Sequence, residues 1–251
     1  MLYLVPTPIG NLEDLTPRAL KALGSVRAVF AEDTRRTRKL FTHFGIPTPL
    51  LRYNERDERS RQAVLARLRD GDDVAVVSDG GMPGLSDPGR RIVALAREAG
   101  IGVSALPGAN AAVTALAGSG LPADSFVMLG FLPRSPSKRL RALREAASLG
   151  RTIVVYESPF RVVRLLEEAE ASLGASCRAC AARELSKLHE EWVCGTVTEV
   201  RTALEAKKEI LGEFVLVFGA KENNDNENPT GALEENESGT EGLDSLRSSR
   251  P

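Results

Sequence analysis

Cysteine is scarce in this 251-residue chain: Cys177, Cys180 and Cys194 are an odd set without framework spacing. That excludes a secreted, disulfide-stapled scaffold, and buried thiols are the simplest expectation for all three. A zinc site is disfavoured too, because Cys177 and Cys180, three apart on a strand, face opposite sides. No stretch approaches eighteen consecutive apolar residues, which excludes a membrane-crossing helix, and the first residues enter an apolar segment without a charged leader or cleavage site. The expectation is a soluble, cytoplasmic protein that does not engage a membrane. A G-x-G-x-x-G phosphate loop is missing from any strand-to-helix junction, which excludes an ordinary dinucleotide fold.

Net charge is also nearly absent, at −1 overall. From Glu222 onward, however, eight acids face only Arg247 and Arg250, so that segment carries −6 and residues 1–221 carry +5. A modestly basic body is compatible with an anionic partner such as nucleic acid. The segment 222–251 is poor in large apolar residues and reads as a disordered acidic tail.

What the chain does have is Val74 to Gly89, VAVVSDGGMPGLSDPG. Val74 to Val77 form a short apolar run of the kind a buried parallel strand needs, and Asp79 stands at its carboxyl end, where open α/β sheets bind ligands. Gly80, Gly81 and Gly84 lack Cβ atoms and let backbone approach a ligand, while Pro83 and Pro88 stiffen the walls. Two other strand ends have the same character, PTPIGN at 6–11 and PGAN at 107–110. Parallel strands would bring all three to one edge, around a ligand held by main-chain groups rather than by clustered cations.

Strand and helix signals alternate through the first half. Strands are expected at 2–5, 26–31, 50–53, 74–77 and 103–106. Helices are expected at 16–23, stopped by Gly24, then at 34–44, 58–69 and 88–99, with a small-residue helix after 110. Such alternation predicts a parallel sheet. GSGLP at 118–122 reads as a hinge. Beyond it, strands are expected at 126–131, 152–156, 178–183, 191–194 and 214–218, with helices up to Leu149, at 160–173 and near 198–206, which suggests a mixed sheet. The expected organisation is two α/β domains, 1–118 and 119–221, a ligand cleft between them, and the tail 222–251.

Seven segments occur in one order: PTPIGN, EDTRRTRKL, SDGGMPGLSDPG, LPGANA, FLPR, YESPFR and ARELSKLHEE. In this order the chain, over residues 2 to 219, resembles the ribosomal RNA small-subunit methyltransferase I family of bacteria, within the tetrapyrrole methylase superfamily. The resemblance implies a cleft between two α/β domains that binds S-adenosylmethionine as methyl donor. It implies the 2′-hydroxyl of a decoding-centre cytidine in the 16S rRNA of the small ribosomal subunit as acceptor, and a homodimer. Donor binding would fall on Pro8, Ile9, Asp79, Met82, Pro83 and Gly108, Ala109, Asn110 and Ala111. Second-domain contacts would come from Tyr156, Glu157, Leu185, Gly212, Glu213 and Phe214. The chain departs from the usual family pattern at Asn54, Gly80, Met82, Ala109, Asn110 and Phe160.

A sulfonium donor is already a strong electrophile, so positioning supplies most of the acceleration, about 7–11 kcal/mol for proximity and orientation. Candidate general bases are Glu32, Asp33, Glu157, Glu184 and Glu190, with His189 behind them, and sequence singles out none. Arg35, Arg36, Arg38 and Lys39 on one predicted helix, with Arg134, Lys138, Arg139 and Arg141 in and after the loop PRSPSKR, are candidate RNA contacts. A solvated helical face explains the first set equally well. Two other functions fit the strand-end loops: methylation of a tetrapyrrole or a protein side chain, disfavoured by the basic segments and by ARELSKLHEE, and a donor- or RNA-binding module without catalysis.

Overall fold

In the structure, a computed structural model that describes residues 1–220, two five-stranded sheets are each covered by helices on both faces. The expected acidic tail lies outside the described residues. The first sheet contains β1 (Leu2–Val5), β2 (Ala28–Ala31), β3 (Leu50–Arg52), β4 (Val74–Val77) and β5 (Val103–Ala105). Its order is β3-β2-β4-β1-β5 and every pairing is parallel. β4 sits at the centre, and its four residues are at most 1% exposed, which is why its sequence is an unbroken apolar run.

Alternate residues along these strands serve opposite faces. Val29, Ala31, Ala75 and Val77 pack under α1 (Pro17–Ser25) and α2 (Thr34–Phe44) through Ala19, Leu23, Leu40 and Phe41. Ala28, Phe30, Val74 and Val76 pack under α3 (Glu58–Arg69) and α4 (Arg90–Glu98) through Val64, Leu65, Leu68, Ile92 and Ala96. Local chemistry sets most helix starts: Thr16 caps α1 with Pro17 at its first position, and Asp33 and Asp57 cap α2 and α3. Gly45, in the left-handed region at φ 64°, ends α2.

The second sheet contains β6 (Phe126–Phe131), β7 (Thr152–Glu157), β8 (Arg178–Arg183), β9 (Glu191–Thr196) and β10 (Phe214–Phe218), in the order β6-β7-β10-β8-β9. Only β6 and β7 run parallel in it, so the sheet is mixed. One face carries α6 (Pro136–Ala147), α7 (Val162–Leu173) and α8 (Val197–Glu205). The other face takes α5 (Ala111–Gly118), whose Ala112, Ala115 and Leu116 meet Val154, Val215 and Val217. Although α5 follows β5 of the first sheet, its small residues let it lie on the second, so the loop at 107–110 bridges the two halves. Gly118 is packed against Trp192: a Cβ there would stand 2.5 Å from the indole Cη2.

Several boundaries differ from the sequence expectation. α1 runs past Gly24 to Ser25. α4 begins at Arg90 rather than Pro88, because the Gly84 N–H bonds back to the Pro88 carbonyl at 3.0 Å and Gly89 takes φ 142°. α7 begins at Val162, leaving Phe160 on a turn, 91% exposed. The thiol expectation is corrected for two cysteines. Cys180 and Cys194 are direct partners in the β8–β9 ladder, with Cα atoms 4.0 Å apart, and are joined as a disulfide.

Candidate active site

Parallel pairing of β4 with β1 and of β1 with β5 brings their three carboxyl ends side by side. The first two are locked together. The Thr7 N–H donates to the Gly81 carbonyl at 3.0 Å, and the Gly81 N–H donates to the Thr7 carbonyl at 2.8 Å. The Thr7 hydroxyl donates to the Ser78 carbonyl, and the Ser78 hydroxyl to that of Gly81. Gly81, at φ 85°, is the residue this bridge requires, since a Cβ there would stand 3.3 Å from Ile9 Cγ2. Asn110 caps α5 by accepting the Val113 N–H, so the positive end of that helix faces the same space.

The result is a cavity of about 770 Å³, within the range that encloses a cofactor-sized ligand. Pro8, Ile9, Asp79, Met82, Asn110, Ala111, Tyr156, Glu157, Leu185, Glu213 and Phe214 line it, eleven residues named from sequence. Pro83, Gly108, Ala109 and Gly212 do not. Gly108 instead presses on Pro6, where a Cβ would fall 2.8 Å from the ring, and Gly212, at φ 91°, lies against the Glu184 side chain. The wall also includes Gly10, Arg36, Gly80, Gly81, Leu85, Ser86, Asp87, Phe131, Ser158, Pro159, Lys187 and Val215, which the donor assignment missed. For 80, 81 and 85–87 the signal was present, because they belong to the breaker-rich stretch itself. Lys187 and Phe131 gave none.

Tyr156 rises from β7 with its ring 5.4 Å from that of Phe131, at an interplanar angle of 55°. Glu157 beside it is fully buried. It pairs with Arg161 at 2.6 Å and accepts the Ser158 N–H at 2.7 Å. Lys187 ties Glu184 at 2.9 Å to Glu213 at 2.8 Å across the cavity floor. Among the described residues no group of three His, Cys, Asp or Glu side chains is placed to hold a metal ion.

The five candidate bases prove unequal. Asp33 caps α2 and holds Arg35 at 2.8 Å, and these Arg35 hydrogen bonds keep its carboxyl well below the usual range. Glu184 is lowered as well: burial pushes it up, but the Lys187 and Glu213 hydrogen bonds overcome that. Glu190 is lowered by the Trp192 indole N–H and the Ser186 N–H. Glu157 is committed to Arg161, and Glu32 is exposed and not on the cavity wall.

Arg35, Arg36, Arg38 and Lys39 are exposed on α2, and Arg36 lines the cavity 4.0 Å from Asp79. The first turn of α2 contains arginines and no acid, which opposes the helix dipole. For Arg35 the N-cap Asp33 offsets this by pairing with it; Arg36 has no such partner within the helix. Arg134, Lys138 and Arg141 are exposed. Arg139 is the exception and requires correction: it is 3% exposed, forks onto Glu168 of α7, and donates to the Pro133 and Arg134 carbonyls at 3.2 Å. A guanidinium buried in this way, with four of its five N–H groups bonded within the chain, does not reach a phosphate.

Two α/β halves closing on a cavity walled by Gly- and Pro-rich strand ends define a class, and the profile of the Tetrapyrrole (Corrin/Porphyrin) Methylases matches residues 1–201. The chain belongs to that family of methyltransferases, and within it to the ribosomal RNA small subunit methyltransferase I group. A member from Halalkalibacterium halodurans is 46% identical over 218 residues, 86% of this chain and 74% of that one. Another, from Thermotoga maritima, is 44% identical over 222 residues, 88% of this chain and 99% of that one. In fold the chain is similar to the uroporphyrin-III C-methyl transferase of Thermus thermophilus, solved as a complex with S-adenyl homocysteine. The TM-score is 0.60 at 23% identity, covering 87% of this chain and 96% of that one.

Proposed function

We propose that the chain transfers the methyl group of S-adenosylmethionine to the 2′-hydroxyl of a decoding-centre cytidine in small-subunit ribosomal RNA, acting as a homodimer. The observation that carries the reading is the cavity itself. Its walls combine the Gly- and Pro-rich strand ends of the first sheet with Tyr156, Leu185 and Phe214 of the second half, a form suited to an adenosyl group and an amino-acid tail, and Arg36 places a cation at its edge. The α2 cations then continue the charge outward. Asp79, Met82, Asn110 and Ala111 hold the donor from the first half, and Tyr156, Leu185 and Phe214 from the second. Asp79 is itself fixed by the Asp33 N–H at 3.1 Å. The protein's part is to align the acceptor oxygen with the methyl carbon and to exclude water.

The test is incubation with isotope-labelled S-adenosylmethionine and small subunits that lack the modification. Label is expected in the RNA, in a dinucleotide that resists alkali because its 2′-oxygen is blocked. Label only in a porphyrinoid or a protein, or donor binding without transfer, would overturn the reading. The cations of α2 give a second readout. Replacing Arg38 and Lys39 by alanine should flatten the dependence of log affinity on log salt by about 1.4, at ~0.7 per single-strand phosphate. An unchanged slope removes this patch from the RNA contact.

A further inference from the structure

Transfer to a hydroxyl releases a proton, and the cavity wall contains one carboxylate that, among the described residues, has neither a hydrogen-bond nor an ion-pair partner. Asp87 lies in the loop between β4 and α4, half-buried, and lines the cavity. Among the described residues it accepts no hydrogen bond within 3.5 Å and forms no ion pair. Each other acid on that wall has a partner: Asp79 the Asp33 N–H and Arg36, Glu213 Lys187, and Glu157 Arg161 and Ser158 through Oε1, its Oε2 being buried without a hydrogen bond. The backbone that presents Asp87 is strained. Ser86 stands at φ 63°, a conformation costly for a residue other than glycine, with Gly84 and Gly89 also at positive φ on either side. The loop is pinned at its far end by Glu55, which accepts the Gly89 and Arg91 N–H groups, and its Ser86 side chain fits where Gly130 has no Cβ.

We infer that Asp87 is the general base of the transfer, taking the proton of the acceptor hydroxyl as its oxygen attacks the methyl carbon. The inference rests on the reading of the cavity as a ribose methylation site. The new O–C bond forms as the C–S bond breaks with its pair going to sulfur. The donor leaves as neutral S-adenosylhomocysteine, and the proton passes to the Asp87 carboxylate and then to water.

The surrounding charges suit the task. Burial pushes the Asp87 carboxyl up to about 6, and the like charges of Asp79 and Glu32 add to it. The Tyr156 phenol also faces the cavity and is raised, first by burial and, less, by the charge of Asp87. Of the two cations on that wall, Arg36 is directed at Asp79 and Lys187 at Glu184 and Glu213. A carboxylate near 6 is ionised at neutral pH and is a stronger base than an ordinary one.

The experiment is single-turnover methyl transfer to unmodified small subunits across pH 5–9, with S-adenosylhomocysteine affinity measured by calorimetry on each variant. The wild type should show a rate that rises through about pH 6 and then levels. Asp87→Asn should lower the plateau by about 10²–10⁴ and abolish that rise, with analogue affinity within a few-fold. An Asp87→Asn plateau within a few-fold of wild type, or a rise near pH 6 that persists in Asp87→Asn, would overturn the assignment. Failure of the wild type to label RNA would instead overturn the ribose methylation reading.

Discussion

Arg139→Ala is expected to lower stability by about 3–5 kcal/mol, read as a reduced urea midpoint at unchanged slope. The side chain is 3% exposed and its partner Glu168 only 12%, so the change leaves a carboxylate in a site that water barely reaches. Arg164, 3.5 Å from Glu168 Oε1, takes over part of the pairing and places the loss toward the lower end of that range. The carbonyls of Pro133 and Arg134 lose a donor as well. Removing both charges with Arg139→Met and Glu168→Leu should recover much of the loss, since a well-packed apolar pair avoids desolvation altogether. The exposed neighbours Arg134 and Lys138, changed to alanine, should move stability by less than about 0.5 kcal/mol. A mild effect of Arg139→Ala on stability, with a large one on RNA affinity in the folded protein, would return this arginine to the RNA surface.

Gly81→Val should weaken the binding of S-adenosylmethionine by about 5- to 150-fold. A β-branched residue at φ 85° costs roughly 1–3 kcal/mol in strain; the strand-end clasp opens to relieve it, and donor binding must then restore the clasp at that cost, each 1.4 kcal/mol being about a factor of ten. The added atoms would also press on Ile9, forcing apart the two strand ends that Thr7 and Gly81 clasp by paired backbone hydrogen bonds. Gly71 supplies the control, because it sits at φ 89° with nothing within 4 Å and away from the cavity. Gly71→Val should cost stability in the same way and leave donor affinity unchanged. Calorimetric titration of both variants separates the effects. Equal donor affinity in both would mean that the β1 and β4 ends do not form the donor site.

How far the sequence could be read depended on how local each cause was. β4 was legible because a strand buried on both faces must be apolar throughout, and the start of α1 because the Thr16 cap meets its partner three residues away; Asp33, read as a candidate base, proves to be the cap of α2. The start of α4 was not. Its first N–H groups are satisfied by Glu55, thirty-odd residues upstream, while Pro88 is held in the preceding loop by Gly84. The Cys180–Cys194 pairing depends on a register between β8 and β9 that no sequence spacing prescribes. Arg139 was assigned by charge alone, and charge does not say which way a side chain faces on α6. Asp87 was passed over because Ser-Asp-Pro-Gly reads as turn chemistry. Only the cavity geometry shows its carboxylate without a partner while Glu157, Glu184 and Glu190 are taken.

A crystal structure of the protein with S-adenosylhomocysteine tests most directly whether the three Gly- and Pro-rich strand ends and the facing edge of the second sheet enclose the methyl donor. The expected result is the ligand in the cavity between Ile9, Asp79, Asn110, Tyr156 and Phe214, with its sulfur open to the side where Asp87 and Arg36 stand. A ligand bound elsewhere on the chain, with that cavity empty, would contradict it.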